Sequence, residues 1–293
     1  IETGAALVVA SGGSLSLRGE LLVARDALVE LDAGATLVLT APWDAPDEDA
    51  PSPKTRTHRL HGVLDAPEAA SVLVHGCTLA VSGGRVDVAN TSSLSVSRGA
   101  ALVLADAGEV DAHDANTVVE ILGRLLVERD GFLYARAAAR LAVEPDATVM
   151  NEGQLLGWDG VLEFRGAYAG DGLVALVGRG AQVVVAASAM AASGGLIRAS
   201  SGATVTWEVP PPLAPPPHDE PSIGSLELRS AAKLDVLRGA FADMGKVSVE
   251  EASADVAGSW RVRAGSLRLD RAARVRVTGD SAKLDVVAAV VGP

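Results

Sequence analysis

Apolar and polar residues alternate through most of the chain, in short runs that hold two apolar positions separated by one residue. Because side chains point to opposite faces of a strand in turn, this period of two indicates short strands with one buried face. Weak helical patterns over residues 118–126 and 135–141 return at once to alternation, so we expect strands there too. Clear pairs are Leu15/Leu17, Leu37/Leu39, Leu94/Val96, Leu102/Leu104, Val183/Val185, Leu234/Val236 and Leu284/Val286.

The spacing between these pairs predicts the architecture. Pairs begin at residues 79, 86, 94 and 102, and again at 260, 267, 275 and 284, in steps of 7 to 9 residues. A strand of about four or five residues and a tight corner fill such a step. Three steps would close one coil of a three-sided parallel β-solenoid, about 22–25 residues long, and the chain has room for about a dozen coils. A compact antiparallel β-protein is the alternative, although hairpin signals of the Asn-Gly and Asp-Gly type are scarce.

A small pair, most often Gly-Ala, precedes many of the strands. Glycine permits the positive φ of a sharp corner, and we expect alanine where neighbouring coils stack closely. The pair does not recur at a fixed interval, so the coils are predicted to differ in length. Copies are Gly4-Ala5, Gly34-Ala35, Gly99-Ala100, Gly180-Ala181 and Gly202-Ala203, with degenerate forms at Asp146-Ala147, Ala231-Ala232 and Ala272-Ala273.

Two proline-rich segments interrupt the alternation. Residues 41–58 are rich in Pro, Asp and Glu, and residues 209–221 contain two runs of three prolines. Proline cannot donate to a strand ladder, so we predict two loop insertions in one elongated β-solenoid domain that spans residues 1–293. The first residue is Ile1, and we interpret the chain as a mature or excised segment.

Composition narrows the possible functions. Hydrophobic residues make up 48% of the 293 residues but aromatic residues only 3%, which predicts a core of Leu, Val and Ala. The net charge of -12 argues against nucleic acid, whose binding requires clustered cations. Cys77 is the only cysteine, so no disulfide forms within the chain. The longest weakly polar stretch, residues 181–197, contains Gln, Ser and a Gly-Gly pair, and we expect no membrane-spanning helix.

Three groups of side chains are candidate metal or modification sites. Asp106, Glu109, Asp111 and Asp114, beside His113, have the oxygen chemistry of a divalent cation site, but their spacing matches no known loop, and we expect a solvated acidic corner. His58 and His61, with His75 and Cys77 nearby, suggest zinc, yet histidines three apart on a strand point to opposite faces. We therefore predict no cofactor and a buried Cys77. Asn90-Thr91-Ser92 fits the N-glycosylation acceptor pattern.

Tryptophan supplies the candidate binding residues, because an exposed indole beside a loop forms a stacking platform. Trp43, next to the acidic loop, is the first candidate, followed by Trp158 and Trp207. Trp260 takes an inward position in the alternation, and we expect it in the core. No Gly-x-Ser-x-Gly elbow or other nucleophile pattern is present, which predicts that the protein is not an enzyme.

The run Gly99-Ala100-Ala101-Leu102-Val103-Leu104, with the short strands that precede it from Leu79, resembles the stacked coils of secreted right-handed parallel β-helix proteins. These include adhesins, autotransporter passengers and cell-surface filaments. The resemblance implies a right-handed β-helix, outside the cell or on its surface, with a structural or adhesive role. It carries no catalytic motif.

We therefore expect an extracellular or cell-surface structural or adhesive module. Its expected partners are neighbouring domains or copies of itself, stacked end to end, and surface glycans. The alternative is a carbohydrate-binding or carbohydrate-active β-helix protein.

Overall fold

The computed structural model describes residues 1–41, 57–186, 189–209, 223–286 and 289–291, without the side chains of residues 189–193, 264–266 and 289–291. Within these ranges the chain forms strands and turns and no helix, so nothing in them has the length and apolarity of a membrane-crossing helix. The strands pair in parallel into stacked coils, which confirms the predicted all-β parallel solenoid.

The strands follow one another in chain order as follows. The first third comprises β1 (Ala6–Val9), β2 (Ser14–Leu17), β3 (Leu22–Val23), β4 (Leu28–Leu31), β5 (Thr36–Thr40), β6 (Thr57–Leu60), β7 (Val63–Ala66), β8 (Ser71–His75), β9 (Thr78–Ser82), β10 (Arg85–Val88) and β11 (Ser93–Val96). The second comprises β12 (Ala101–Ala105), β13 (Glu109–Ala112), β14 (Val118–Ile121), β15 (Arg124–Val127), β16 (Phe132–Arg136), β17 (Arg140–Val143), β18 (Thr148–Asn151), β19 (Gln154–Trp158), β20 (Val161–Phe164), β21 (Ala167–Ala169) and β22 (Leu173–Val177). The last comprises β23 (Gln182–Val185), β24 (Ala189–Ser200), β25 (Thr204–Trp207), β26 (Ile223–Arg229), β27 (Lys233–Val236), β28 (Phe241–Glu250), β29 (Ser253–Val256), β30 (Ser259–Asp270), β31 (Arg274–Val277), β32 (Lys283–Val286) and β33 (Ala289–Val291).

Each coil contributes one strand to each of three faces. The first face begins with β1, β4, β7 and β10, the second with β2, β5, β8 and β11, and the third with β3, β6, β9 and β12. Towards the C-terminal end, β24, β26, β28 and β30 are long strands that turn a corner. The start of β24 pairs with β21 on the third face, and its end pairs with β22 on the first.

The pairing register gives the coil length directly. Val63 pairs with Arg85 and Arg85 with Glu109, offsets of 22 and 24 residues, and the offset falls to 19 between Gln154 and Leu173. The prediction of three strand-and-corner steps per coil is therefore confirmed, and the antiparallel alternative is wrong. Longer offsets of 35 (Leu28 to Val63) and 29 (Leu196 to Ser225) occur where the two proline-rich segments lie. Most of residues 41–58 and 209–221 falls outside the described residues.

The corners follow the predicted small-pair rule except at Gly180 and Asp146, which do not have a positive φ. Gly99 has a φ of 77°, and Ala100 after it is fully buried. Alanine itself adopts the left-handed conformation in degenerate copies, as at Ala231 with a φ of 66°. Gly180 does not have a positive φ; Gly178, at 108°, makes that corner instead. The feature that recurs at these corners is therefore a residue with a positive φ, and that residue is not always glycine.

The core consists of inward columns in which one side chain stacks on its counterpart in the next coil. Most positions are Leu, Val or Ala, as composition predicts, and Cys77 is buried among them. Four large rings, those of Phe164, Tyr168, Trp207 and Trp260, also lie inside, although composition predicts a core of Leu, Val and Ala. Phe164 and Tyr168 pack edge to face, with ring centroids 5.1 Å apart. Trp260 is in the core, as its place in the alternation predicts.

Candidate binding surface on the first face

The outward side chains of the first face change character along the stack. Four carboxylates in successive coils, Glu30, Asp65, Asp87 and Asp111, occupy equivalent positions in the parallel register. We call these four residues the acidic ladder. Like charges placed directly opposite one another destabilise a sheet unless cations lie between them.

Arg85 and His113 provide that compensation. An Nη of Arg85 lies 2.9 Å from an Oδ of Asp87 and 2.8 Å from Oδ2 of Asp111. The two ring nitrogens of His113 lie 2.9 Å from carboxylate oxygens of Asp87 and Asp114. At Asp87 and Asp111 the ladder is therefore paired with cations from the same or the neighbouring coil.

The same contacts shift the pKa values. Burial raises the pKa of Asp65, and the negative charges of Asp87 and Glu30 raise it further. Burial also raises the pKa of Asp111, against the opposing positive charges of Arg136 and Arg85. Asp111 is only 2% exposed although it points away from the core. Something on the outer surface must therefore cover it.

The cover comes from the next two coils. Tyr134 on β16 is the register partner of Asp111, and Arg136 on the same strand is the register partner of Trp158 on β19. The Arg136 guanidinium carbon lies 4.3 Å from the Tyr134 ring centroid and 4.6 Å from the Trp158 centroid. Its Nε lies 3.2 Å from Oδ1 of Asp111. Each cation–π contact at such a site contributes about 0.5–1 kcal/mol.

Phe132 extends this surface along β16. Its ring and that of Tyr134 are nearly parallel, 11° apart, with centroids separated by 6.2 Å. Tyr134 and Trp158 lie 5.6 Å apart with their planes tilted by 57°. We call Phe132, Tyr134, Arg136 and Trp158 the aromatic patch.

Apolar residues continue the patch into the following coil. The outward Leu156 and Ala175 follow Tyr134 in the register and are each only 8% exposed, whereas Val177, next to Trp158, is 41% exposed. The third face has an outward apolar run of its own, through Ala80, Val103, Leu126 and Met150, so the first-face stretch is set apart by its aromatic and arginine side chains. Contiguous exposed apolar surface with aromatic and arginine side chains is typical of interaction sites.

The predicted cation ligands are not brought together. Glu109 and Asp111 share β13, but Arg85 lies between them, 3.8 Å from Glu109 and 2.8 Å from Asp111. Asp106 and Asp114 lie at the corners before and after that strand, where they accept hydrogen bonds from Ser82 and His113. The described part of the chain holds no group of three or more His, Cys, Asp or Glu side chains arranged to bind a metal.

The suggested zinc ligands have separate partners. His58 is buried in an inward position, its Nδ1 accepts a hydrogen bond from the Leu21 amide, and burial lowers its pKa. The Cys77 thiol donates to the Leu39 carbonyl at 3.3 Å, and burial raises its pKa. His61 contacts the Ser82 carbonyl oxygen and His75 the Ser97 hydroxyl.

The tryptophan and asparagine candidates fall in different environments. Trp158 is 44% exposed in the aromatic patch. Trp207 is fully buried, because its position on β25 is an inward one, and this corrects its assignment as a surface platform. Trp43 lies outside the described residues. Asn90 is exposed at a corner with a φ of 47°, while Ser92 of the same triplet is buried and accepts a hydrogen bond from the Ala70 amide.

Three patch residues were missed by sequence reasoning. Phe132, Tyr134 and Arg136 alternate along one strand, which places them on one side of it. Trp158 follows Arg136 by 22 residues, one coil length. The signal was therefore present, but only the coil offset turns four scattered residues into neighbours.

The pH dependence of stability provides a test of the ladder. Burial opposes protonation of His113, but its hydrogen bond to Asp114 and the charge of Asp87 outweigh this and raise its pKa above 6.5. A raised folded-state pKa contributes stability that is complete below the unfolded value and is lost as the pH rises through the folded value. We expect the melting temperature of the wild type to exceed that of His113→Gln near pH 5.5, and this advantage to shrink towards pH 8.5.

Asp114→Asn is the matched control, because it removes the hydrogen bond to a carboxylate that is the largest single cause raising the pKa of His113. When Asp114 is Asn, the melting-temperature difference caused by His113→Gln should change less between pH 5.5 and pH 8.5. A wild-type advantage that grows with pH would contradict the assigned network.

Comparisons with known proteins do not assign a family. No protein-family model and no curated protein matches the chain. Among solved structures, the crystal structure of a TibA fragment hyper-glycosylated by TibC is 14% identical, with 98% of this chain and 100% of that one covered, at a TM-score of 0.25. A TM-score of that size supports no argument about ligand or function. The assignment as a β-solenoid comes from the strand pairing itself.

Proposed function

We propose that this chain is a non-enzymatic structural or adhesive β-solenoid module of an extracellular or cell-surface assembly. The observation that supports this proposal is that apolar side chains in inward positions of the first and last coils are partly exposed. A second copy of the chain, stacked end to end, is the occupant we assign to those coils. The parallel ladders can then continue from one copy to the next without a change of architecture.

The end coils differ from the middle ones in one physical respect. In the second-face column, Leu37 is fully buried whereas Leu15, one coil nearer the N-terminus, is only partly buried. At the other end, Val256 is fully buried and its register partner Val277 is 44% exposed. Burying these side chains on another coil would stabilise the assembly by about 25 cal/mol per Å² of apolar surface.

The backbone supports the same contact. The outer edges of β2 and β31 have no strand partner among the described residues, since β2 pairs with β5 and β31 with β29. An open strand edge presents unpaired amide and carbonyl groups and is a template for another strand. A second solenoid end of equal width would cover the exposed apolar side chains and pair with the free backbone amides and carbonyls of the edge strands.

End-to-end stacking can be tested by a charge placed on one end. Sedimentation velocity over a concentration series, with negative-stain electron microscopy, should show wild-type chains associating into linear particles. Val277→Lys should weaken this association by at least about tenfold, equivalent to about 1.4 kcal/mol. Leu73→Lys is the control, because Leu73 is similarly exposed at 38% but lies on the side of the second face.

A wild-type chain that stays a monodisperse monomer at every accessible concentration would contradict the stacking proposal. Equal effects of Val277→Lys and Leu73→Lys would place the contact on the sides of the solenoid instead of its ends.

A further inference from the structure

We propose that the aromatic patch on the first face is a carbohydrate-binding platform for neutral or amino-bearing glycan chains. The inference goes beyond the proposed function and does not depend on end-to-end stacking, because the patch lies on the side of the solenoid. It rests on the shape of the patch, its rigidity, its polar surroundings and its charge.

The shape suits a sugar chain. Phe132 and Tyr134 form a nearly parallel pair along β16, and Trp158 lies beside them on the next coil. Strands rise by about 3.3 Å per residue and stack about 4.8 Å apart, so the rings span two or three sugar units. Pyranose rings with equatorial substituents present flat C–H faces, and aromatic rings bury such faces well.

The patch is held rigid before any ligand arrives. Arg136 lies against the Tyr134 and Trp158 rings and is fixed by Asp111, which Arg85 also contacts. The main chain of Trp158 is anchored by the hydrogen bond that its carbonyl accepts from the Ala137 amide at 3.0 Å, and its ring packs against Arg136 and Tyr134. A platform whose rings are already ordered avoids much of the entropic cost of binding.

Polar groups stand at the edge of the rings, as hydroxyl recognition requires. Phe132 lies between two polar residues in the register: Glu109 on β13 in the preceding coil and Gln154 on β19 in the following coil. Arg136 retains 33% exposure of its side chain. Burial, and then the negative charge of Glu109, raise the pKa of Tyr134, so its hydroxyl stays protonated and able to donate. Donors and acceptors therefore surround an apolar surface.

Charge selects among glycans. The acidic ladder adjoins the patch on the N-terminal side, where Asp111 and Glu109 face Tyr134 and Phe132 across the register. The whole chain carries a net charge of -12. Arg85 and Arg136 balance only two of the three carboxylates Asp87, Glu109 and Asp111, and the ladder continues with Asp65 and Glu30. An anionic polysaccharide lying across the rings would be repelled by this remaining negative charge, whereas a neutral chain would not and an ammonium group would be attracted.

A protein partner would use the same residue types, since Trp, Tyr and Arg dominate protein interfaces. The glycan is favoured because the patch is narrow and flat, with only Leu156, Ala175 and Val177 adding to its apolar area. A stable protein contact buries about 800 Å² on each partner, much more than three rings supply. Binding of a protein but of no sugar is therefore an outcome that overturns the proposal.

The test is titration calorimetry with three β-1,4-linked hexasaccharides, built of glucose, glucosamine and glucuronate, which share one ring stereochemistry and differ in charge. The wild type should bind the glucose and glucosamine chains and bind the glucuronate chain at least about tenfold more weakly, a difference of about 1.4 kcal/mol. Trp158→Ala and Tyr134→Ala should each weaken binding by about tenfold or more. Trp158→Phe, which keeps a ring, should retain most of it.

Two controls separate binding from folding. Leu73→Ala removes an exposed apolar side chain from the second face and should leave sugar affinity unchanged. Circular dichroism should stay at wild-type values in Trp158→Ala and the melting temperature should fall only slightly, because that side chain is 44% exposed and its loss removes one cation–π contact of about 0.5–1 kcal/mol. Absence of binding to all three probes, or equal affinity of wild type and Trp158→Ala, would overturn the glycan proposal and leave the stacking proposal untouched. Cleavage of a bound chain would instead overturn the non-enzymatic part of the proposed function.

Discussion

Trp207→Ala is expected to destabilise the solenoid by about 3–5 kcal/mol, the largest effect of any substitution considered. The indole is fully buried between Val185 and Val236 of the adjacent coils. Its Nε1 donates a hydrogen bond of 2.9 Å to the Phe241 carbonyl oxygen. Truncation therefore leaves a cavity in the core and a carbonyl oxygen without its hydrogen-bond donor. The cavity stays open because the stacked coils are held in register and cannot move together to fill it.

The measurement is guanidinium unfolding together with amide hydrogen exchange. In a stacked-coil protein each coil contacts only its neighbours, so the loss of exchange protection should concentrate in β23, β25, β27 and the strands beside them. Trp207→Phe keeps most of the volume but loses the donor and should cost clearly less. Trp158→Ala removes an exposed ring and should change stability little; an equal loss in the two alanine variants would contradict the buried assignment of Trp207.

Gly108→Ala is the second large effect, at about 3 kcal/mol of destabilisation, the upper end of the usual cost of overpacking. Gly108 ends the corner before β13, and a Cβ there would lie 2.0 Å from the Val81 carbonyl oxygen and 2.7 Å from its carbon. Both atoms belong to the backbone of the preceding coil, so no flexible side chain can move away. Either the coil spacing increases locally or the strand leaves its register.

Gly99→Ala is the matched control for backbone conformation. Gly99 has a positive φ of 77°, but a Cβ there meets no atom within 4 Å. Alanine already occupies similar conformations in this fold, as at Ala138 with a φ of 69°, and the smaller unfolded-state entropy of alanine offsets part of the strain. Thermal unfolding should therefore show a much larger loss for Gly108→Ala. Equal losses would mean that conformation, and not close coil contact, explains the glycine.

The contrast between these two glycines shows where sequence reasoning ended. Gly99 belongs to the Gly-Ala pair, which is visible in the sequence because a corner and a buried alanine are local requirements. Gly108 belongs to a column of glycines that each precede a first-face strand. These positions require glycine because the backbone of the preceding coil leaves no room for a Cβ. The column comprises Gly62, Gly84, Gly108, Gly131, Gly153 and Gly172.

The candidate site divides in the same way. Trp158 could be proposed from the sequence because tryptophan is rare here, but Trp207 could be proposed for the same reason and is buried. Alternation distinguishes the two sides of a strand only once the inward side is known. Trp207 continues the inward column of Val185, a relation that depends on a coil offset of 22 residues.

The acidic residues illustrate the role of tertiary contacts most clearly. Composition around Asp111 suggested a cation site or a solvated corner, because neighbouring residues in the sequence are acidic. The structure instead places Arg85 and Arg136, from the coils on either side, against this carboxylate. The charge of Asp111 is therefore balanced across coils, perpendicular to the chain direction.

The sequence by itself determined the period, the three-strand coil and the apolar identity of the core, because these follow from alternation and from corner residues a few positions apart. Only the tertiary structure decided which scattered residues share a column, which tryptophan is exposed and where aromatic rings meet the acidic ladder. The physical reason is the stacking itself: each contact along the solenoid axis joins residues about one coil apart, and coils of unequal length conceal that relation in the linear sequence.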